Sequence, residues 1–143
     1  NYAAAQFKFE TIAKNIEYAL GITDLKELAA GLDTESPVYN VYLMDAKGNL
    51  NGGPGKYTAN GAGYWMTSDL AITTWGTNHA LFMEPFIYDE EAKDFYADGG
   101  GFNCGRLSSD TPASGTVLTP SIVIKPVKDT GKTLTINFTL TFE

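Results

Sequence analysis

The chain is short of cysteine, histidine and positive charge. It has one Cys, one His, and 10 Lys+Arg against 17 Asp+Glu, a formal net charge of −7. A nucleic-acid binder needs a cationic footprint to neutralise phosphates, and scattered single cations do not make one. No nucleic-acid partner is expected, and anionic membrane surfaces are disfavoured for the same reason. No apolar run approaches the roughly 18 residues that span a bilayer, so no membrane insertion is expected. The lone cysteine, Cys104, excludes a disulfide within the chain and so does not report the compartment. One Cys and one His do not make a typical four-ligand zinc site, and neither metal nor cofactor is expected. No signal peptide opens the chain, which begins Asn1-Tyr2-Ala3 without Met. It reads as a single domain, residues 1–143, excised from or part of a larger secreted protein and working as a monomeric module.

What is present points to strands. Fifteen Gly, sixteen Phe and Tyr, and a Thr-rich C-terminal half favour turns and sheets over a helical bundle. Gln6–Thr11 alternates polar and aromatic residues and predicts a strand. Ile12, Ile16 and Leu20, then Leu25, Leu28 and Leu32, fall at helical spacing. They predict two short helices joined at Gly21 and closing near Gly31, the second capped by Thr23. Val38–Asp45 is a strand followed by a turn at "DAKGN". "YWMT" and "AITTW" flank a turn at Ser68-Asp69. Ala80–Tyr88 is a strand that Pro85 demotes to an edge or a bulge. Asp89 to Leu107 reads as a long polar connection, with the roles of Asp89–Asp98 and Gly99–Arg106 left open. In Thr133–Phe142, Leu134, Ile136, Phe138, Leu140 and Phe142 share one face, which predicts a central or well-covered antiparallel strand. The sum is a mostly β fold, an antiparallel β-sandwich of jelly-roll-like form with two short N-terminal helices.

Catalytic signals are weak. "GKT" at Gly131–Thr133 is the tail of a phosphate-binding loop, but Pro126 stands where the loop needs Gly, and a strand follows instead of a helix. Cys104 and His79 could form a nucleophile and base, with no local signature around either. Asp89, Glu90, Glu91, Asp94 and Asp98 do not have the spacing of a calcium loop and read as a solvated face. Glu84, Asp69 and Asp94 are the carboxylates available for glycoside hydrolysis, but the sequence does not set the separation that chemistry needs. No enzyme is expected.

Both tryptophans fall in "GYWMTSDLAITTWG", one on each side of the turn. Trp75 follows a β-branched run and reads as core. A sandwich core suits either tryptophan taken singly; of the two, Trp65 follows the Gly-rich "NGAGY" and is the one expected at a surface, where function collects. Sugar recognition needs flat apolar faces for ring C–H groups and small polar groups for hydroxyls. Tyr57, Asn60, Tyr64 and Asn78 lie around Trp65 in sequence and complete the expected ligand-binding set.

The stretch "YTANGAGYWMTSDLAITTWGTNHALFMEP" resembles the core motif of a domain of unknown function, number 4859, found in secreted and surface proteins of gut Bacteroidetes. The pattern is Asn-Gly-x-Gly-[His/Tyr]-Trp, a turn, a second Trp-Gly, then a strand. Asn60-Gly61-Ala62-Gly63-Tyr64-Trp65 and Trp75-Gly76 stand at those positions. "IAKNIEYALGITDLKELA" resembles the family's opening helical stretch. The resemblance is best from Ile12 to about Pro85 and poor over Gly99–Arg106. It implies export, a β-rich architecture and, by the company such domains keep, a link to polysaccharide utilisation. The expected function is a non-catalytic carbohydrate-binding module, extracellular or on the outer cell surface, with the periplasm as an alternative. A structural or interaction domain with no small-molecule ligand is the second reading, and a glycoside-acting enzyme the third.

Overall fold

The computed structural model describes residues 3–33, 35–52, 65–74, 76–106, 112–128 and 130–143. Strand β1 (Ala3–Lys8) passes into a 3-10 turn (Phe9–Ile12) and helix α1 (Ala13–Leu20). The strand therefore starts and stops earlier than the alternation in Gln6–Thr11 predicts. Phe9 is the reason: its N–H donates to Gly100 O at 2.9 Å, and its fully buried ring meets Phe102 edge-on. α1 ends at Gly21, whose φ of +72° is the left-handed cap that glycine adopts without strain, with its N–H on Glu17 O. Helix α2 (Leu25–Gly31) is capped by Asp24 rather than Thr23, the carboxylate accepting from Lys26 N–H at 3.0 Å. Both residue types cap well, and the observed start lies one position later.

The remaining strands are β2 (Tyr39–Met44), β3 (Leu50–Gly52), β4 (Trp65–Met66), β5 (Ile72–Thr73), β6 (Leu81–Phe86), β7 (Tyr88–Asp89) and β8 (Asp94–Phe95). They continue with β9 (Gly101–Arg106), β10 (Val117–Leu118), β11 (Ser121–Pro126), β12 (Leu134–Asn137) and β13 (Leu140–Thr141). Among the described residues they form a five-stranded sheet, β1-β9-β6-β4-β5, and a four-stranded sheet, β12-β11-β2-β3. Two small ribbons, β10-β13 and β7-β8, complete the set, and every pairing is antiparallel. One hydrophobic cluster joins the larger sheet (Met66, Leu81, Phe102), the smaller one (Leu43, Ile122, Ile124) and the helices (Ile16, Leu28). The fold is the expected mostly β, sandwich-like arrangement with two short N-terminal helices.

Three local expectations change. The first is the polar connection: Gly101–Arg106 is β9, hydrogen-bonded to β1 on one side and β6 on the other, and buried at all positions but Asn103. Its glycines and Asn103 are poor strand formers by composition. Glycine is required at Gly101, where a Cβ would collide with Phe7 O, and just before the strand at Gly100 (φ +66°), where one would collide with Phe86 O. The second is Pro85. β6 is an interior strand, but β4 pairs only with its Leu81 and Phe82. At Pro85 the ladder to Phe102 of β9 is the one ladder present among the described residues, so the strand is locally an edge.

The third is the C-terminal run. Leu134, Ile136, Phe138 and Phe142 are buried as the alternation predicts, but the strand breaks after Asn137. β12 is the edge partner of β11, whereas β13 pairs with β10. The run is thus well covered without being central. Phe138 sits at the break, where its N–H donates to Pro120 O at 2.9 Å. Its ring meets Phe7 edge-on at 5.1 Å, joining the two sheets.

Phe138→Ala is expected to lower unfolding free energy by about 3–5 kcal/mol, the range for a buried Phe. Urea denaturation followed by circular dichroism measures it, and an unchanged midpoint would remove Phe138 from the core. Cys104 in β9 is 3% exposed, and burial pushes its thiol up to about 12. The thiolate is the reactive form. Native protein at neutral pH is therefore expected to resist a maleimide that labels the denatured chain fully.

Candidate functional site

The strand pair that carries Trp65 is built by its turn. Thr67 Oγ1 accepts from Asp69 N–H and Ala71 N–H, and Thr67 N–H donates to Ala71 O at 2.9 Å. This closes β4 on β5 with Trp65 opposite Thr73. On the other side Trp65 is in register with Phe82 of β6. The indole is 4% exposed, packed edge-on against Phe82 at 5.6 Å and His79 at 4.8 Å. The expected surface position of Trp65 is overturned. The strand is paired on both sides, and on the face that Trp65 occupies the large apolar ring packs against Phe82 and His79 and is buried.

Asn78 is exposed and holds a positive φ of +48°, which Asn tolerates in a turn. Trp65 inside and Asn78 outside do not form one exposed contact set. Tyr57, Asn60 and Tyr64, and also Trp75, lie outside the described residues.

The candidate catalytic groups are occupied in other ways. His79 is half-buried in the turn before β6, its Nδ1 accepting from Gly76 N–H at 2.8 Å and its ring on Trp65. Cys104 keeps its proton in the core. Asp94 pairs with Lys26 Nζ at 2.8 Å, which with the Phe95 N–H holds its carboxyl below the usual range. Glu84 accepts a long bond from Asn103 at 3.4 Å, and Asp69 is exposed in the β4–β5 turn. Within the acidic stretch, Asp89 accepts the N–H groups of Glu91 and Ala92. Asp98 accepts from Gly100 N–H and pairs with Lys8. The Gly100 and Lys8 bonds hold Asp98 below its ordinary value. Among the described residues, no group of three or more His, Cys, Asp or Glu is placed to hold a metal ion. "GKT" lies in the turn between β11 and β12, and β12 follows it.

Two open grooves among the described residues bear on function. One, of about 470 Å³, lies between β9 and β13, lined by Ala5, Cys104, Arg106, Thr141 and Phe142 among others. Arg106 is buried there and donates to Pro112 O at 2.8 Å and to Glu143 O, with its guanidinium 5.5 Å from the Phe142 ring centre. It acts as a clamp on backbone carbonyls.

The other groove, of about 460 Å³, is formed by the end of α2, the end of β6 and the β7–β8 hairpin. The pairing of β7 with β8 sets Tyr88 directly opposite Phe95, and the rings meet edge-on at 5.4 Å. Tyr88 is 39% exposed. Leu32, Pro85 and Ile87 extend the apolar wall, and Asp33, Glu35 and Glu90 bring three carboxylates to it. The Lys26–Asp94 pair ties the hairpin to α2, and Tyr96 N–H donates to Ile87 O at 3.0 Å. An aromatic face beside hydrogen-bond acceptors can hold an amphipathic, hydroxyl-rich molecule. None of these residues was in the set expected from sequence. The local signal for Tyr88, Glu90 and Phe95 is an aromatic residue at each end of "YDEEAKDF", a polar turn sequence flanked by a cross-strand pair.

The model of the family described as "Domain of unknown function (DUF4859)" matches residues 1–140, including Gly99–Arg106, which the motif resemblance covered poorly. No curated protein and no solved structure matches the chain. With all but its last three residues inside the match, the chain belongs to the DUF4859 family.

Proposed function

We propose that the domain is a non-catalytic carbohydrate-binding module of an extracellular or cell-surface protein, and that its contact surface is the Tyr88 groove rather than the Trp65 face. The observation that carries this reading is the exposed Tyr88 ring, braced by Phe95 and flanked by Asp33, Glu35 and Glu90. A pyranose presents a C–H face that stacks on an aromatic ring and a rim of hydroxyls that donate to carboxylates. The groove volume of about 460 Å³ falls within the range of small-molecule sites. The edge-on pairing of Tyr88 with Phe95 limits its rotation, so less side-chain entropy is lost on binding. On this reading the module acts as a monomer within a larger secreted protein of a Bacteroidetes-type system for polysaccharide use, as the motif resemblance implies.

The burial of Trp65 favours one other reading, a structural or interaction domain with no small-molecule ligand. The two readings separate on paired substitutions. Tyr88→Ala is expected to abolish binding on a glycan array and leave the melting temperature within a degree or so, as for an exposed side chain. Trp65→Ala is expected to destabilise by about 3–5 kcal/mol, as for a large buried ring. Absence of wild-type binding to any glycan at millimolar concentration would transfer the assignment to the structural reading.

A further inference from the structure

We infer that the groove between β9 and β13 is an oxyanion site anchored by Arg106, for a ligand bearing a carboxylate or sulfate group. Arg106 is the only arginine in the chain, and it is 8% exposed. It continues the buried row of Phe102 and Cys104 on one face of β9, at the end of the strand. A buried guanidinium ordinarily faces a carboxylate, because an uncompensated charge is costly away from water. Arg106 does not. It donates to main-chain oxygens of Pro112 and Glu143, whereas the ion pairs among the described residues are Lys8–Asp98 and Lys26–Asp94. Those bonds use one N–H of each Nη. Nε–H and the second N–H of each Nη have no acceptor among the described residues.

The second observation is shape. The same residue lines a groove of about 470 Å³, within the range of small-molecule sites. The guanidinium lies 5.5 Å from the Phe142 ring centre, and this contact with the two main-chain bonds fixes its plane. A fork already held in place loses little entropy on meeting an oxyanion, and its bonds to that group are charge-assisted. Exposed Thr139 and Thr141 also line the groove and carry hydroxyls that can donate to the same group. Glu143 is the one carboxylate residue on the wall among the described residues; it is exposed and forms no ion pair with Arg106. The net charge of −7 repels anions at long range, but salt screens that beyond about 8 Å and screens a buried pair much less. The Tyr88 groove lies past the other end of β9, where Phe86 pairs with Gly101, so this site does not depend on the carbohydrate reading.

A lone arginine gives a single Nε–H signal, so the test is an NMR titration of the whole ¹⁵N-labelled domain at slightly acidic pH, with the Gly105 amide as a second reporter. Sodium glucuronate, sodium sulfate, glucose and sodium chloride are added in turn at constant ionic strength. Glucuronate and sulfate are expected to shift the reporters saturably, and glucose and chloride to leave them in place. Saturation by one anion alone would narrow the ligand to a carboxylate or to a sulfate. Thr139→Val combined with Thr141→Val, exposed and nearly isosteric, is expected to weaken the anion roughly tenfold, as for lost bonds to a charged group. Arg106→Lys keeps the charge without the fork and is expected to weaken it at least as much; if that variant does not fold, the threonine pair decides. Tyr88→Ala is expected to change nothing. No saturable shift of either reporter at millimolar anion would overturn the site. So would an equal response to chloride, an affinity untouched by the threonine pair, or a response lost with Tyr88→Ala. None of those results bears on glycan binding by the wild type, which the array measures separately.

Discussion

Three backbones converge at Gly100 and Gly101, and most of the structure is arranged around that approach. β9 lies between β1 and β6, close enough that a Cβ on Gly101 would collide with Phe7 O and one on Gly100 with Phe86 O. Only glycine permits this spacing, and at Gly100 it also supplies the left-handed φ. Because the strands close at this point, Phe9 N–H reaches Gly100 O, and the Phe9 and Phe102 rings meet at 5.4 Å. The same approach fixes where β6 leaves the sheet. From Phe86 the chain passes directly into Ile87 and Tyr88, so one wall of the Tyr88 groove is set by the glycines behind it. Gly99 sits just as tightly against Leu25, which fixes the position of α2 and hence of the opposite wall.

The groove differs in kind from the core beside it. Core contacts, such as Phe7 on Phe138 and Trp65 on Phe82, join elements distant in sequence and exclude water. Around the groove the contacts are fewer and partly polar: a local two-residue ladder, a local Asp89 turn, and the exposed Lys26–Asp94 bridge between distant segments. Exposed ion pairs contribute little to stability. Their value here is geometric, since the bridge tethers the hairpin to α2 and leaves the Tyr88 ring accessible. A rigid sheet carrying a short, lightly stabilised hairpin is a common division of labour between scaffold and contact surface.

Trp65 shows how composition and placement part company. The residues around it have the aromatic and amide chemistry of a sugar site, and the glycines before it suit a surface loop. The ladder pairs it with Thr73 on one side and Phe82 on the other, and the interior takes the ring. The Tyr88 groove shows the converse. Its chemistry comes from segments more than fifty positions apart, so no local window contains both Asp33 and Tyr88.

The features legible in the sequence are those set by short-range physics. The period-two run from Leu134 to Phe142 marked a buried face, Gly21 marked the end of a helix, and "DAKGN" marked a turn that Asp45 closes through the N–H groups of Lys47 and Asn49. The Asn-Gly-x-Gly-Tyr-Trp and Trp-Gly pattern marked the family. What only the tertiary structure decided was set by neighbours that the chain does not announce locally. β9 is a strand because β1 and β6 both pair with it, with a glycine at Gly101 where the backbones come closest, not because Gly-Phe-Asn-Cys-Gly favours extension. Thr133–Phe142 splits after Asn137 because its two halves pair with different strands, and alternation is the same whether or not a run changes partners. A side-chain period reports which face is wet. Register, partner and the pockets between elements depend on contacts made across the fold.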